Sequence, residues 1–393
     1  MAQRRVSSDV KQSTSKWLTI WHWLFNVSLT AVFISLFIQW PKLLLRLRLA
    51  ENNSVFRSGW LVLLVMSLLL LLTAMVHEVG HLLAGYWVRF RFQVLVVGPL
   101  RLSAENGRLR LQRQRGGSLF NGLAASLPQE MDNLARRLLY FALGGPLASL
   151  LLSLTCLVVA LYLSNDLSRM LDYLWLWECC LFTAVVSYFF LLTSMRPGAY
   201  HNGMVADGGR ILMLATKSAQ AARWQMLVKL TVADLTGERP SLWDTKLLQQ
   251  ALAPSENSHD YLTAVLMNFH HCLDKNAPQM AANFLEEALN LPVTWETGIH
   301  TRLLLEKAFL AAAFGADGQK AQALVDQLKL GRRQKDSLFW RTQAALYFLA
   351  GERTLARETA VRGLTLLEKE RQTGRQKAEL AWLKALMEKA SDP

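Results

Sequence analysis

GWLVLLVMSLLLLLTAMVHEVGHLLAGYW, residues 59–87, decides the fold class, because a long uncharged run leads directly into the ionisable cluster His77–His81. At ~1.5 Å per residue, the run is long enough to cross a hydrocarbon core of ~30 Å. Three further runs, 17–40, 138–163 and 173–195, are of similar length and carry at most one charged residue each. The sequence therefore predicts a polytopic, all-α membrane protein with about four transmembrane helices.

The positive charges between these runs predict the orientation. Lys and Arg number four in 1–16 and nine in 89–137, against four in 41–57 and one in 164–172. Because cytoplasmic loops carry the excess of Lys and Arg, both termini are expected in the cytoplasm. The layout favours a multi-pass protein of a bacterial plasma membrane, in direct contact with the lipid bilayer.

Composition excludes several other classes of protein. The chain has 393 residues, of which 52% are hydrophobic and 13 are Trp, so it is not intrinsically disordered. Its net charge of +13 lies mostly in the membrane loops, and the expected soluble part has no basic patch with aromatic residues, so no nucleic-acid partner is expected. The four cysteines have neither zinc-ribbon nor disulfide-framework spacing and are expected to be reduced. They are Cys156, Cys179, Cys180 and Cys272.

The cluster at the end of the second run has the H-E-x-x-H pattern of zinc enzymes. His77 and His81 are four residues apart and share one face of a helix, so both imidazoles can bind one metal ion. Glu78 is then placed to reach a water molecule at the metal. Ionisable side chains at membrane depth are costly unless they serve a site. The alternative is a helix end at the membrane surface, where these side chains are simply solvated.

A third ligand is needed, because catalytic zinc usually has three protein ligands and one open position. Asp207 is the best candidate, since it follows the fourth apolar run, which returns to the side where the second run ends. Gly208 and Gly209 would let the backbone turn tightly and approach the site. The alternative role for Asp207 is a helix N-cap, and one carboxylate can serve both roles.

Together these motifs resemble the site-2 protease family of intramembrane zinc metalloproteases. Residues 90–100 (FRFQVLVVGPL) are similar to the strand-forming segment and Gly-Pro turn after the family's zinc helix. Residues 100–115 predict a hairpin with Asn106-Gly107 as its turn, so a small β-hairpin or sheet is expected near 91–115. Gly144–Ser149 (GGPLAS) is similar to the family's Gly-Pro-x-x-Asn element.

The resemblance implies an activity and a set of roles. One Zn²⁺ per chain would be bound by His77, His81 and Asp207, with Glu78 as general base. The substrate would be a transmembrane helix, locally unwound, of a membrane-anchored regulator or remnant peptide. The resemblance also implies substrate contacts from the glycine-proline element and the loop before Asp207. These residues are Gly145, Pro146, Ser149 and Asn202.

The chain departs from the family pattern at its asparagines. Ser149 stands where the family usually has Asn, and no Asn directly precedes Pro197, so Asn202 or His201 would substitute in that loop. These departures favour an alternative, a catalytically inactive membrane-anchored scaffold that recruits proteins through its tail. A third hypothesis is a zinc enzyme that acts on a lipid-soluble small substrate.

The tail predicts a C-terminal α-helical repeat domain. Gly318 and Gly351 lie 33 residues apart, as do Ala323 and Ala356, which is close to the tetratricopeptide period. Such a domain would bind a cytoplasmic protein or peptide on its concave face, or form a cap that stabilises or dimerises the membrane domain. Four parts of the chain are predicted. Residues 1–16 form a cytoplasmic segment and residues 17–216 a transmembrane zinc metalloprotease domain. Residues 217–242 form a linker or amphipathic segment, and residues 243–393 a tetratricopeptide-like domain.

Overall fold

A computed structural model gives the fold of the protein. It describes residues 16–28, 30–31, 59–105, 108–113, 122–200, 203–253, 256–292, 297–328, 336–368 and 373–391. Two compact units divide the chain between Ser218 and Ala219, except that Tyr200–Met204 belong to the second unit. The first unit contains the apolar helices and a small sheet, and the second is helical.

The first unit is built from long apolar helices. They are α1 (residues 16–28 and 30–31), α2 (Gly59–Trp87), α3 (Leu134–Ser164), α4 (Leu167–Asp172), α5 (Leu174–Ser194) and α6 (Asp207–Ala215). Within the described ranges, α2, α3 and α5 are the three helices long and apolar enough to cross a membrane. Their outer faces expose leucines such as Leu63, Leu68 and Leu151, which suits contact with lipid rather than water. The protein is therefore membrane-associated.

The structure shows three such helices where the sequence predicts about four. The first predicted span, 17–40, is described only at 17–28 and 30–31, where it is helical. In that part, Trp21 Nε1 donates a hydrogen bond to the Leu192 carbonyl at 2.7 Å, so α1 lies against α5. The rest of that span, and the basic segment 41–57, lie outside the described residues.

Small residues bring α2 and α3 into direct backbone contact. A Cβ atom added to Gly80 would lie 2.5 Å from the Gly144 carbonyl oxygen, and one added to Gly144 would lie 2.4 Å from that of Gly80. Such contacts replace hydrophobic burial as the source of helix association where the solvent is lipid. This close crossing lies one turn from His77 and one residue from His81, so it fixes the position of both imidazoles.

A four-stranded antiparallel sheet follows α2. Its strands are β1 (Phe90–Val97), β2 (Leu100–Glu105), β3 (Arg108–Arg113) and β4 (Gly122–Pro128), in the order β3-β2-β1-β4. Glu105 pairs with Arg108, so the predicted hairpin is confirmed around 106–107, two residues that lie outside the described ranges. The sheet is larger than the predicted insert near 91–115, because β4 pairs with β1 on the side opposite β2. The sequence analysis missed β4.

The second unit contains α7 (Ala219–Leu235), a 3₁₀ turn (Pro240–Leu242), α8 (Thr245–Ala251), α9 (His259–Asp274), α10 (Pro278–Asn290), α11 (Thr297–Ala313), α12 (Gly318–Gln327), α13 (Ser337–Leu349), α14 (Arg353–Leu367) and α15 (Gly374–Ser391). Side chains before four of these helices accept hydrogen bonds from backbone N–H groups of the first turn, as N-caps do. They are Asp244, Ser258, Asp317 and Asp336.

Six of these helices form three helical hairpins, α9–α10, α11–α12 and α13–α14. Each short turn holds one residue with positive φ, at Asn276, Ala316 and Gly351. The fourth residue of each second helix is a fully buried alanine, at Ala281, Ala321 and Ala356. These positions recur after 40 and then 35 residues, because the hairpins differ in length. The second unit therefore contains three helical hairpins in addition to α7, α8 and α15.

This register corrects the alignment inferred from the sequence. Ala323, paired with Ala356 in the sequence analysis, is exposed, and Ala321 is the buried equivalent. Gly318 begins α12 instead of lying in the turn, where Ala316 is the equivalent of Gly351. A constant spacing of 33 residues misplaced both positions, because the first helices and turns are unequal in length.

The segment 217–242, assigned from the sequence to a linker or amphipathic segment, is mostly helical. Helix α7 buries Leu227 and Leu230 in a cluster with Trp243 and Leu248. Its buried Asp234 also accepts two hydrogen bonds from Arg375, from the backbone N–H and from Nε. Residues from Ala219 onward therefore belong to the core of the second unit.

Candidate metal centre

The two histidines of α2 lie on one helix face inside the first unit. His77 and His81 are each only 6% exposed, and their ring centroids are 5.0 Å apart. Their Nε2 atoms point to the same carboxylate oxygen: Asp207 Oδ2 lies 3.2 Å from His77 Nε2 and 3.4 Å from His81 Nε2. The structure thus brings together residues 130 positions apart in the chain, as the sequence analysis expected.

Asp207 reaches this place because the chain packs tightly after α5. A Cβ atom on Gly208 would lie 2.1 Å from the Met195 carbonyl oxygen, and one on Gly209 would lie 2.5 Å from that of Gly198. Only glycine permits this approach. Asp207 is the first residue of α6, whose N-cap is Ala206. Its carboxylate therefore faces the histidines and does not serve as the N-cap.

The three side chains could hold a metal ion. Their ligand atoms all lie within 4.8 Å of one another. Nitrogen and oxygen ligands ~2.0–2.1 Å from a tetrahedral zinc ion are separated from each other by about 3.3 Å, close to the distances from Asp207 to both imidazoles. Two imidazoles and one carboxylate, with a fourth position open, are also a donor set that zinc accepts.

Hydrogen bonds on the far side of each ring orient both imidazoles. His77 Nδ1 lies 2.9 Å from Ser149 Oγ, and His81 Nδ1 lies 2.8 Å from the Phe141 carbonyl oxygen. With Nδ1 protonated and donating in each ring, Nε2 keeps its lone pair for a metal. Ser149 is completely buried, and its own carbonyl accepts a hydrogen bond from Ser187 at 2.8 Å. The structure places Ser149, expected to contact substrate, behind His77.

This contact predicts a specific effect of Ser149→Ala. Removing a hydrogen bond that holds a metal-binding histidine typically lowers metal affinity by about 10–100-fold, and we expect a loss in this range. Ser153→Ala is the matched control, because Ser153 lies one turn further along α3, is also buried, and donates its hydrogen bond to the Ala184 carbonyl instead of meeting a histidine. Competition with a zinc-selective chelator measures both affinities. An equal loss in both variants would show a general packing effect instead.

Gly145 also lies at this group, and Pro146 follows it in α3. A Cβ atom on Gly145 would lie 2.3 Å from His81 Nε2 and 2.7 Å from His77 Nε2, so a larger residue would enter the space between the ligand atoms. Pro146 is buried inside α3, where it has no N–H to donate to the preceding turn. Of these two residues expected to contact substrate, the structure places Gly145 beside the histidines and Pro146 next to it in the buried part of α3.

Strand β4 covers the acidic residue of the motif. Glu78 is 8% exposed, and its carboxylate accepts a hydrogen bond from the backbone of Ala124. A Cβ atom on Gly122 would lie 2.2 Å from Glu78 Oε1. This strand was not predicted from the sequence. Its one local signal is Gly122, where the strand must come close to a carboxylate. Among the expected site residues, Asn202, like the alternative His201, lies outside the described residues.

Comparison with known proteins found no matching family model, no matching curated protein and no matching solved structure. The assignment of the site therefore rests on the residues of this chain and their geometry.

Proposed function

We propose that the protein is an intramembrane zinc endopeptidase that cleaves a transmembrane segment of a membrane-anchored regulator or remnant peptide. The observation that carries the proposal is a buried group of His77, His81 and Asp207 on and beside an apolar helix of membrane-spanning length, with Glu78 in the same helical turn. Ionisable groups placed this way are costly in a membrane unless they serve a site. The ordered resemblance to site-2 proteases, from residue 59 to 215, supports the same function.

The proposed chemistry divides between the metal and the chain. When bound, zinc supplies Lewis-acid activation of a water molecule and of the scissile carbonyl. The Glu78 carboxylate would serve as the proton carrier, accepting a proton as the nucleophile forms and giving it to the departing amide nitrogen. The backbone of Ala124 holds the Glu78 carboxylate in place. Because a helix satisfies its own carbonyls in lipid, the substrate must unwind before its amide can reach these residues.

Several further features belong to the proposal. We place both termini in the cytoplasm, from the excess of Lys and Arg in 1–16 and 89–137, and the protein in a bacterial plasma membrane. The three helical hairpins of the second unit support a tetratricopeptide-like domain that binds a cytoplasmic protein or peptide.

A second candidate is a membrane-anchored scaffold without catalytic activity. The hairpin array favours it, because stacked helical hairpins present extended binding surfaces, and so does the absence of an Asn at the position of Ser149. The two functions differ at Glu78, which a peptidase requires and a scaffold does not.

The test uses the full chain in proteoliposomes with a reporter whose transmembrane helix contains helix-destabilising residues. We expect the wild type to cleave the reporter. General acid–base catalysis contributes about 10²–10⁴-fold to rate, so Glu78→Gln should lose at least that much while keeping its metal. Glu178→Gln is the matched control, since Glu178 is another buried glutamate of an apolar helix, 4% exposed in α5. Cleavage that survives Glu78→Gln would overturn the peptidase and leave the scaffold.

A further inference from the structure

The second unit has a partly open cavity that the proposed peptidase does not use. It has a volume of about 400 Å³ and lies among α9, α11, α13 and α15, which is within the range of ~300–1,000 Å³ typical of ligand pockets. Much of its wall is apolar or aromatic. These residues include Leu266, Phe269, Ile299, Leu303, Leu338 and Trp382. Such a wall suits an apolar group of modest size.

Arg341 gives the cavity a polar centre. Arg341 is only 2% exposed. Its guanidinium carbon lies 3.9 Å from the ring centroid of Phe309 and 4.9 Å from that of Trp382. Nη2 donates to Glu306 Oε2 at 2.5 Å, but Nε has no hydrogen-bond partner within the part of the chain that the structure describes. Because buried donors are nearly always paired, this N–H calls for an acceptor.

Glu379 lies on the same wall with a second unsatisfied atom. Its Oε1 is buried and has no hydrogen-bond partner among the described residues, although the carboxyl group bonds to Ser337. Burial raises the pKa of Glu379 above its usual value, which favours the protonated form. A raised pKa reduces the repulsion that this carboxyl group exerts on an anion bound beside Arg341.

Most of the other charged groups at the cavity already have partners. Arg375 pairs with the buried Asp234 at 2.8 Å, and the carboxylate of Asp336 caps α13. Arg302 lines the cavity and forms no ion pair with any described residue. His270 lies among these arginines: burial, and then the charges of Arg375, Arg341 and Arg302, lower its pKa well below the usual value. The imidazole is therefore neutral and adds no competing charge.

We propose that this cavity binds a carboxylate that carries an apolar or aromatic tail. The carboxylate accepts from Arg341 Nε and pairs with Arg302, and the tail packs against Phe269 and Trp382. Two sources share this chemistry, a small carboxylic acid and the C-terminal residue of a polypeptide. In either case, the second unit binds this ligand at a site distinct from the histidine group of the first unit.

The test uses 3-(4-fluorophenyl)propanoate as the probe, with its primary amide as the uncharged match. Fluorine NMR line broadening of each probe is recorded with the detergent-purified full chain. Hydrogen bonds to charged groups contribute about tenfold to a hundredfold in affinity, so we expect the acid to bind at least about tenfold more tightly than the amide. Equal binding of acid and amide, or no binding of either, would overturn the proposal.

Variants locate the contact. Arg302→Gln should weaken binding of the acid by about tenfold or more, and the exposed position of Arg302 makes misfolding no concern. Glu379→Gln should preserve binding, because the amide carries no negative charge. Arg362→Gln is the control. Arg362 belongs to α14, lies over the ring of Trp340 on α13 and is not among the residues that line the cavity. Binding that is unchanged in Arg302→Gln would contradict the assigned contact.

A peptide arm separates the two sources. A pentapeptide that ends in Phe with a free carboxylate is compared with the same peptide ending in a carboxamide. Binding of the free peptide at least as tight as that of the small acid would support the proposal with a polypeptide C-terminus as the source. Binding of the small acid alone would support it with a small carboxylic acid as the source.

Discussion

Replacing Gly145 by alanine is expected to abolish metal binding at the histidine group while leaving the helices folded. The added methyl group would lie 2.3 Å from His81 Nε2 and 2.7 Å from His77 Nε2, in the space that an ion between them must occupy. Alanine is more favourable than glycine in a helix by about 1 kcal/mol, so α3 itself is not weakened. We expect the metal content to fall from one ion per chain to nearly none, and reporter cleavage to fall with it.

Elemental analysis of the purified chain measures this effect, and circular dichroism checks the helical content. Gly59→Ala is the matched control, because a Cβ atom at Gly59 in α2 would have nothing within 4 Å. It should keep its full metal content. A Gly145→Ala protein that binds metal as the wild type does would show that the ion, if any, does not lie between the two imidazoles.

The centre of the site could be predicted from local patterns. The four-residue spacing of His77 and His81 fixes a shared helix face wherever the helix lies, because helix geometry is local. Asp207 could be proposed because the adjacent Gly208 and Gly209 indicate a close backbone approach. The structure places all three side chains together. Long uncharged runs likewise predicted α2, α3 and α5, since length and composition suffice for that inference.

The surroundings of the site could not be predicted, because they depend on contacts between distant segments. Nothing in the residues around Ser149 shows that its hydroxyl meets His77, 72 positions earlier in the chain. Strand β4 was missed because its sequence, GLAASLP, has small residues and little alternation between apolar and polar side chains. Its place in the sheet comes from its pairing with β1. The predicted alignment of the helical hairpins was wrong for a related reason. A constant repeat length cannot place equivalent residues when the helices and turns differ in length.

Asp207→Ala should have an effect comparable to that of Gly145→Ala, for a different reason. The loss of a hydrogen bond behind a metal-binding histidine costs about 10–100-fold in affinity, and the loss of a ligand itself should cost more. We therefore expect metal affinity to fall by more than about a hundredfold. Without Asp207, two imidazoles from one helix remain, and the contact between α6 and α2 through the ion is lost.

The most direct test of the account is the zinc content and zinc affinity of the detergent-purified chain, wild type beside Asp207→Ala. The matched control is Asp172→Ala, which removes an exposed aspartate at the end of α4. The account predicts one zinc ion per chain in the wild type and the control, and little or none in Asp207→Ala. A wild-type protein that binds no zinc, or an Asp207→Ala protein that binds zinc as tightly as the wild type, would contradict it.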